Sequence, residues 1–160
     1  MLLLLGAIGV PLTLFWDFAW ESTIGVDAFA SPPHAANYAA AALAAAAALQ
    51  LALAATRRGE GIALGPVRAP LGAWITLWGA LALVAALLFD RWWQASYGLT
   101  AGIWYPPQMA KALGYFALVA GAWMVWLGRQ GDLRGRLGAA LAAGALLAMI
   151  AVVSLPQTFA

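Results

Sequence analysis

One histidine, six carboxylates and no cysteine are the groups in this chain most able to bind a metal or move a proton. Three of them, Asp17, Glu21 and His34, fall at a spacing that could do so. Asp17 and Glu21 are four residues apart and share a face if the first helix runs through both. Ser31-Pro32-Pro33-His34 reads as a helix start. Ser31 can cap it, and Pro32 is tolerated in the first turn because its missing donor would be unsatisfied there anyway. His34 then lies in the first turn of the second helix, and a hairpin of the two helices brings its imidazole toward the Asp17/Glu21 face. Two carboxylates and an imidazole meeting at a membrane boundary suit a metal site or a proton-transfer site. The plainer alternative is carboxylates that are solvated, or paired with Arg91 or Lys111. Asp27 reads as a loop or capping residue.

The pattern recurs. Asp17, Trp20 and Gly25 are matched by Asp90, Trp93 and Gly98 at an offset of 73 residues, and Pro32-Pro33 by Pro106-Pro107 at 74. Each copy sits where one apolar segment ends and the next begins. Gln94 and Gln108 take the places of Glu21 and His34. Amides are poor ligands for transition metals, so the second copy reads as a structural echo. Lys111, one turn after the second Pro-Pro pair, is placed to neutralise Asp90 where a cation would otherwise bind.

The elements that must position these residues are membrane helices. The chain of 160 residues is 65% hydrophobic and 9% charged, more apolar surface than a soluble domain of this size can bury. The uncharged runs are 2–16, 35–56, 71–89, 112–128 and 137–155. A span needs about 20 apolar residues, which the first run reaches if its helix continues to Trp20 or Glu21. The expected fold class is therefore all-α: a polytopic membrane protein with five transmembrane helices and a duplicated two-helix unit. Repeat 1 covers about 1–58, repeat 2 about 70–130, and the last helix 137–155, all in one transmembrane domain. Pro11 should kink the first helix. Met1-Leu2-Leu3-Leu4-Leu5 has no basic n-region and reads as a retained helix rather than a signal peptide. Thr13, Gln50 and Thr76 are the polar residues expected mid-helix.

Arg57, Arg58 and Arg68 lie in the second connection, and Arg129, Arg134 and Arg136 in the fourth. The positive-inside rule makes both cytoplasmic, with the N-terminus. Both copies of the motif then face the far side, which in the inner membrane of a bacterium is the periplasm. Trp16, Trp20, Trp92, Trp93, Trp104 and Tyr105 gather at that level as an interfacial belt.

The spacing Asp17-x3-Glu21-x12-His34 resembles a copper site in one of the integral membrane subunits of the particulate methane and ammonia monooxygenases. There the pattern is Asp-x3-His-x12-His, on membrane helices near the outer side. The words around it, Trp16-Asp17-x-x-Trp20 and Gly25-x-Asp27 before Pro32-Pro33-His34, also look like uncharacterised bacterial membrane proteins with the Asp/His/His spacing. The resemblance covers about residues 14–40 and, more faintly, 88–115. It implies one divalent metal ion at Asp17, Glu21 and His34, or none where the site has decayed. Glu21 stands where the family has histidine, and only Asp90 survives in the second half. Exchanging imidazole for carboxylate hardens the site, favouring zinc, manganese or iron over Cu(I), with Cu(II) still accommodated.

Three functions follow as expectations. The first in rank is an accessory subunit of a larger membrane complex, with a degenerate outer-face metal-type site; its partners are the bilayer and other membrane subunits. The second is a metal-binding, monooxygenase-like protein acting on a small hydrophobic substrate. The third is a small transporter or quinone-handling protein, disfavoured by the scarcity of polar residues mid-helix. The sequence has no basic stripe with interleaved aromatics for nucleic acid. It has no phosphate loop or Gly-x-Ser-x-Gly elbow. Its single histidine excludes bis-histidine haem ligation within one chain.

Overall fold

In lipid the backbone has no water to bond, so each span must satisfy its own N–H and C=O groups. The computed structural model describes residues 1–25, 31–98 and 104–158, with side chains as far as residue 154, and it meets that demand with helices. In order they are α1 (Leu2–Thr23), α2 (Pro32–Arg58), α3 (Leu71–Tyr97), α4 (Pro106–Leu127) and α5 (Leu133–Thr158). All five are long and apolar enough to cross a membrane. The protein is a predominantly helical, multi-pass membrane protein in contact with lipid. Asp27 lies outside the described residues.

The helices overrun the uncharged runs at their wet ends. α1 continues through Asp17 and Glu21, α4 begins six residues before Ala112, and α5 begins four before Leu137. Charged residues at these ends mark the membrane boundary rather than the helix boundary, because long side chains can reach the interface while their backbone stays helical. Pro11 lies inside α1, buried. At the other end of the second span, α2 stops at Gly59, whose φ of +70° is the left-handed conformation that glycine adopts without strain.

A short β-hairpin, not expected from the sequence, fills the connection after α2. β1 (Ile62–Leu64) pairs antiparallel with β2 (Val67–Ala69) in the register Ile62↔Ala69 and Leu64↔Val67. Gly65 and Pro66 form its two-residue turn, and the φ of +60° at Gly65 is what a primed turn needs at its first central position. The hairpin is tied down on both sides. Arg68 N donates to Thr56 Oγ1 of α2 at 2.8 Å, and Trp74 Nε1 of α3 donates to Ile62 O at 3.0 Å.

α1 packs chiefly on α2 and α3 on α4, while α5 covers α4 and α1. The fully buried positions are largely alanines, including Ala44, Ala48, Ala73, Ala122 and Ala142. Large side chains such as Leu81, Leu88, Leu113 and Leu147 are mostly exposed. That is the inside-out arrangement suited to a bilayer. Burying apolar surface among helices gains little there, and close approach through small residues supplies van der Waals contact instead. Successive spans alternate in direction, so the β-hairpin and the α4–α5 turn share one end of the bundle. Six exposed arginines, 57, 58, 68, 129, 134 and 136, stand at that end. Asp17, His34, Asp90 and Lys111 stand at the other.

Candidate functional site

His34 is placed by its helix start. Ser31 Oγ accepts the His34 backbone N–H at 3.4 Å, Pro32 occupies the first turn, and Pro33 is buried. The α1–α2 hairpin then sets His34 Nε2 at 3.3 Å from Asp17 Oδ1, with the side chains 25% and 17% exposed. The imidazole also stacks on Tyr38, ring centroids 6.0 Å apart and 15° between planes. Two of the three expected residues therefore meet as the hairpin argument requires.

The third does not complete a ligand set. Glu21 is exposed near the end of α1. Among the described residues no group of three His, Cys, Asp or Glu side chains is positioned to hold a metal ion. Asp17 and His34 together supply two donors, where a structural zinc site uses four protein ligands and a catalytic one three. An adjacent imidazole and carboxylate can still exchange a proton, or supply two ligands of a site completed elsewhere.

The second occurrence of the motif is paired differently. Asp90 is 8% exposed. Lys111, not Gln108, faces it, with Nζ 2.9 Å from Oδ2. The ammonium takes the place expected of it and neutralises the carboxylate from within the α3–α4 hairpin. In each copy one carboxylate oxygen, Asp17 Oδ1 or Asp90 Oδ1, is buried without a hydrogen-bond donor among the described residues. The 3.3 Å approach of His34 is an ion-pair contact rather than an aligned hydrogen bond.

Below Asp17 and His34 lies a polar chain that sequence reasoning missed. Asn37, 2% exposed, donates through Nδ2 to Thr13 Oγ1 at 2.9 Å. Tyr115 of α4 donates its hydroxyl to Asn37 Oδ1 in a short hydrogen bond. Thr13 in turn donates to Gly9 O at 2.8 Å. The chain joins α1, α2 and α4 and extends polarity from the Asp17–His34 pair into the bundle. Spacing held a signal for part of it: Thr13 lies four residues before Asp17, and Asn37 three after His34, so both share the site's helix faces. Of the polar residues expected mid-helix, Gln50 is exposed. Thr76 is fully buried and donates back to Gly72 O at 2.9 Å.

The aromatic residues at this end are largely open to the surroundings, with Trp16, Trp92 and Trp104 at 44%, 55% and 71% exposure. That suits rings lying at the membrane interface. Comparison of the chain with protein-family models, curated proteins and solved structures finds no match.

Proposed function

We propose that this chain is a non-catalytic integral subunit of a larger membrane complex, built from a duplicated two-helix unit whose motif ends are closed by internal ion pairs. The observation that carries this reading is that each motif carboxylate meets a cationic or cation-forming partner from its own hairpin, Asp17 with His34 and Asp90 with Lys111. A side chain that occupies a carboxylate in this way does for the hairpin what a bound cation would otherwise do. Duplication is supported by the helix crossings as well as by the motif. Gly6 packs against the backbone of Ala40 and Ala44, and Gly79 against that of Gly114 and Leu118. These are the positions that the motif offsets pair.

A second reading has one observation in its favour. Asp17 and His34 are two of the three residues carried over from the monooxygenase resemblance, and they are adjacent. A metal-binding role then requires further ligands from a partner chain. Elemental analysis of the complex, gently extracted from native membrane and with its co-purifying chains identified, separates the two. The accessory role expects a constant set of partners and no stoichiometric metal. Stoichiometric copper, zinc, iron or manganese that disappears in His34→Ala would overturn it in favour of the second reading.

The same reading puts the protein in a bacterial inner membrane, with the N-terminus and the arginine-bearing end cytoplasmic and both motifs periplasmic. Because the chain has no cysteine, single thiols report side without background. In spheroplasts a membrane-impermeant maleimide should label Thr23→Cys and spare Arg58→Cys until the membrane is broken. The reverse pattern rejects the orientation.

A further inference from the structure

At the arginine-bearing end, two open cavities flank the α4–α5 turn. One, of about 440 Å³, is lined by Trp126, Arg129, Asp132, Arg134 and Gly135 among others. The other, of about 340 Å³, runs between α4 and α5 and has a polar mouth, Gln130 and Arg136, above an apolar wall that includes Trp123, Ala139, Ala140 and Ala143. We propose that this pair of cavities binds one anionic phospholipid, with its phosphate among Arg129, Arg134 and Arg136 and an acyl chain along the α4–α5 groove.

Charge complementarity is the first argument. Arg129, Arg134 and Arg136 are exposed and form no ion pair among the described residues. Arg129 instead lies over the Trp126 ring, 5.7 Å from its centroid, a contact that holds a guanidinium in place without cancelling its charge. The one carboxylate lining the cavities, Asp132, is already engaged, accepting the Gly135 backbone N–H through Oδ1 at 2.7 Å. Three cations against one committed anion leave the site positive. Trp126 itself lines the first cavity and is 8% exposed.

The order of chemistry with depth is the second argument. From the helix ends into the bundle, the surface changes from guanidinium and amide to indole and then to alanine. That is the sequence phosphate, glycerol, acyl chain. Small side chains at Ala139, Ala140 and Ala143 are what keep the groove open. A soluble phosphate compound would use the arginines and have no use for the groove. Basic recesses between helices near the membrane surface are general sites for anionic headgroups. This inference does not depend on the accessory-subunit reading, since a free-standing membrane protein could hold the same lipid.

The test is native mass spectrometry of the full chain released from mild detergent, titrated with phosphatidylglycerol or phosphatidylcholine of identical acyl chains. Wild type should retain one phosphatidylglycerol in preference to phosphatidylcholine. Each of Arg129, Arg134 and Arg136 replaced by glutamine should weaken retention about fivefold, and the three together should abolish the preference. Arg57→Gln/Arg58→Gln/Arg68→Gln removes the same charge from the other connection at this end and should keep the preference. Ala140→Trp, at an exposed position, fills the groove, leaves every arginine in place and should lose the lipid; it also serves if the arginine variants fail to fold. Equal retention of the two lipids, equal losses in both triple-arginine variants, or full retention by Ala140→Trp overturns the proposal. So does displacement of the lipid by glycerol phosphate at matching concentration, which would make this a phosphate site with no lipid component.

Discussion

Lys111→Met should destabilise the protein by about 3 kcal/mol, the lower end of the cost of removing one partner from a buried ion pair. The side chains of Lys111 and Asp90 are 20% and 12% exposed and 2.9 Å apart. Taking away the ammonium leaves a carboxylate whose other oxygen already has no donor among the described residues. The loss comes from stranding Asp90 rather than from forfeiting the attraction. The double variant Asp90→Leu/Lys111→Met should therefore recover most of it, because an apolar pair of similar size strands nothing. Reversible unfolding in mixed micelles, followed by tryptophan fluorescence, measures all three. His34→Ala should cost less than Lys111→Met, since the His34–Asp17 contact is longer, 3.3 Å against 2.9 Å, and its side chains are somewhat more exposed, 25% and 17% against 20% and 12%. A Lys111→Met protein as stable as wild type, or a double variant no better than the single, would falsify the view that this pair closes the second hairpin.

Much of the architecture is legible in the sequence because the bilayer imposes a simple demand. Long uncharged runs have to be helices, and five runs give five spans. The ends are harder to read, for a reason visible at Lys111. Its charge places it before the uncharged run that starts at Ala112, yet it lies inside α4, where pairing with Asp90 removes the objection to that charge. The β-hairpin escapes notice because Ile62 to Ala69 is short and set among charged and glycine residues, a context that also describes an ordinary loop. Its stability rests on Thr56 and Trp74, contacts set by how the neighbouring helices end. The candidate site divides in the same way. Asp17 and His34 meet because α1 and α2, consecutive in the chain, pack against each other, and local spacing is enough to foresee that. Asn37 and Tyr115 are 78 residues apart and join different hairpins, so their bond depends on how the two hairpins pack. Local spacing is silent about that.

Gly79→Leu should be at least as damaging as Lys111→Met, with a loss of about 3 kcal/mol, the upper part of the usual overpacking range. A Cβ at Gly79 would lie 2.5 Å from Leu118 N and 2.8 Å from Gly114 O. These are backbone atoms of α4, and no rotamer change can clear them. The two helices must separate, and separation forfeits the close packing that holds helices together where lipid competes equally well for apolar surface. Gly6→Leu should do comparable harm to the first hairpin, because its Cβ would lie 2.6 Å from Ala44 N and 2.8 Å from Ala40 O. Gly144→Leu is the control: nothing lies within 4 Å of a Cβ there, and leucine is the better helix former, so stability should hold or rise slightly. The comparison also bears on duplication. Gly6 and Gly79 are related by the same 73-residue offset as Asp17 and Asp90. Matched losses at the two glycines would mean that both hairpins depend on one crossing geometry, as copies of a single ancestral unit should. Full loss at Gly79 with none at Gly6 would leave the repeated motif as a likeness of loops, with no common packing beneath it.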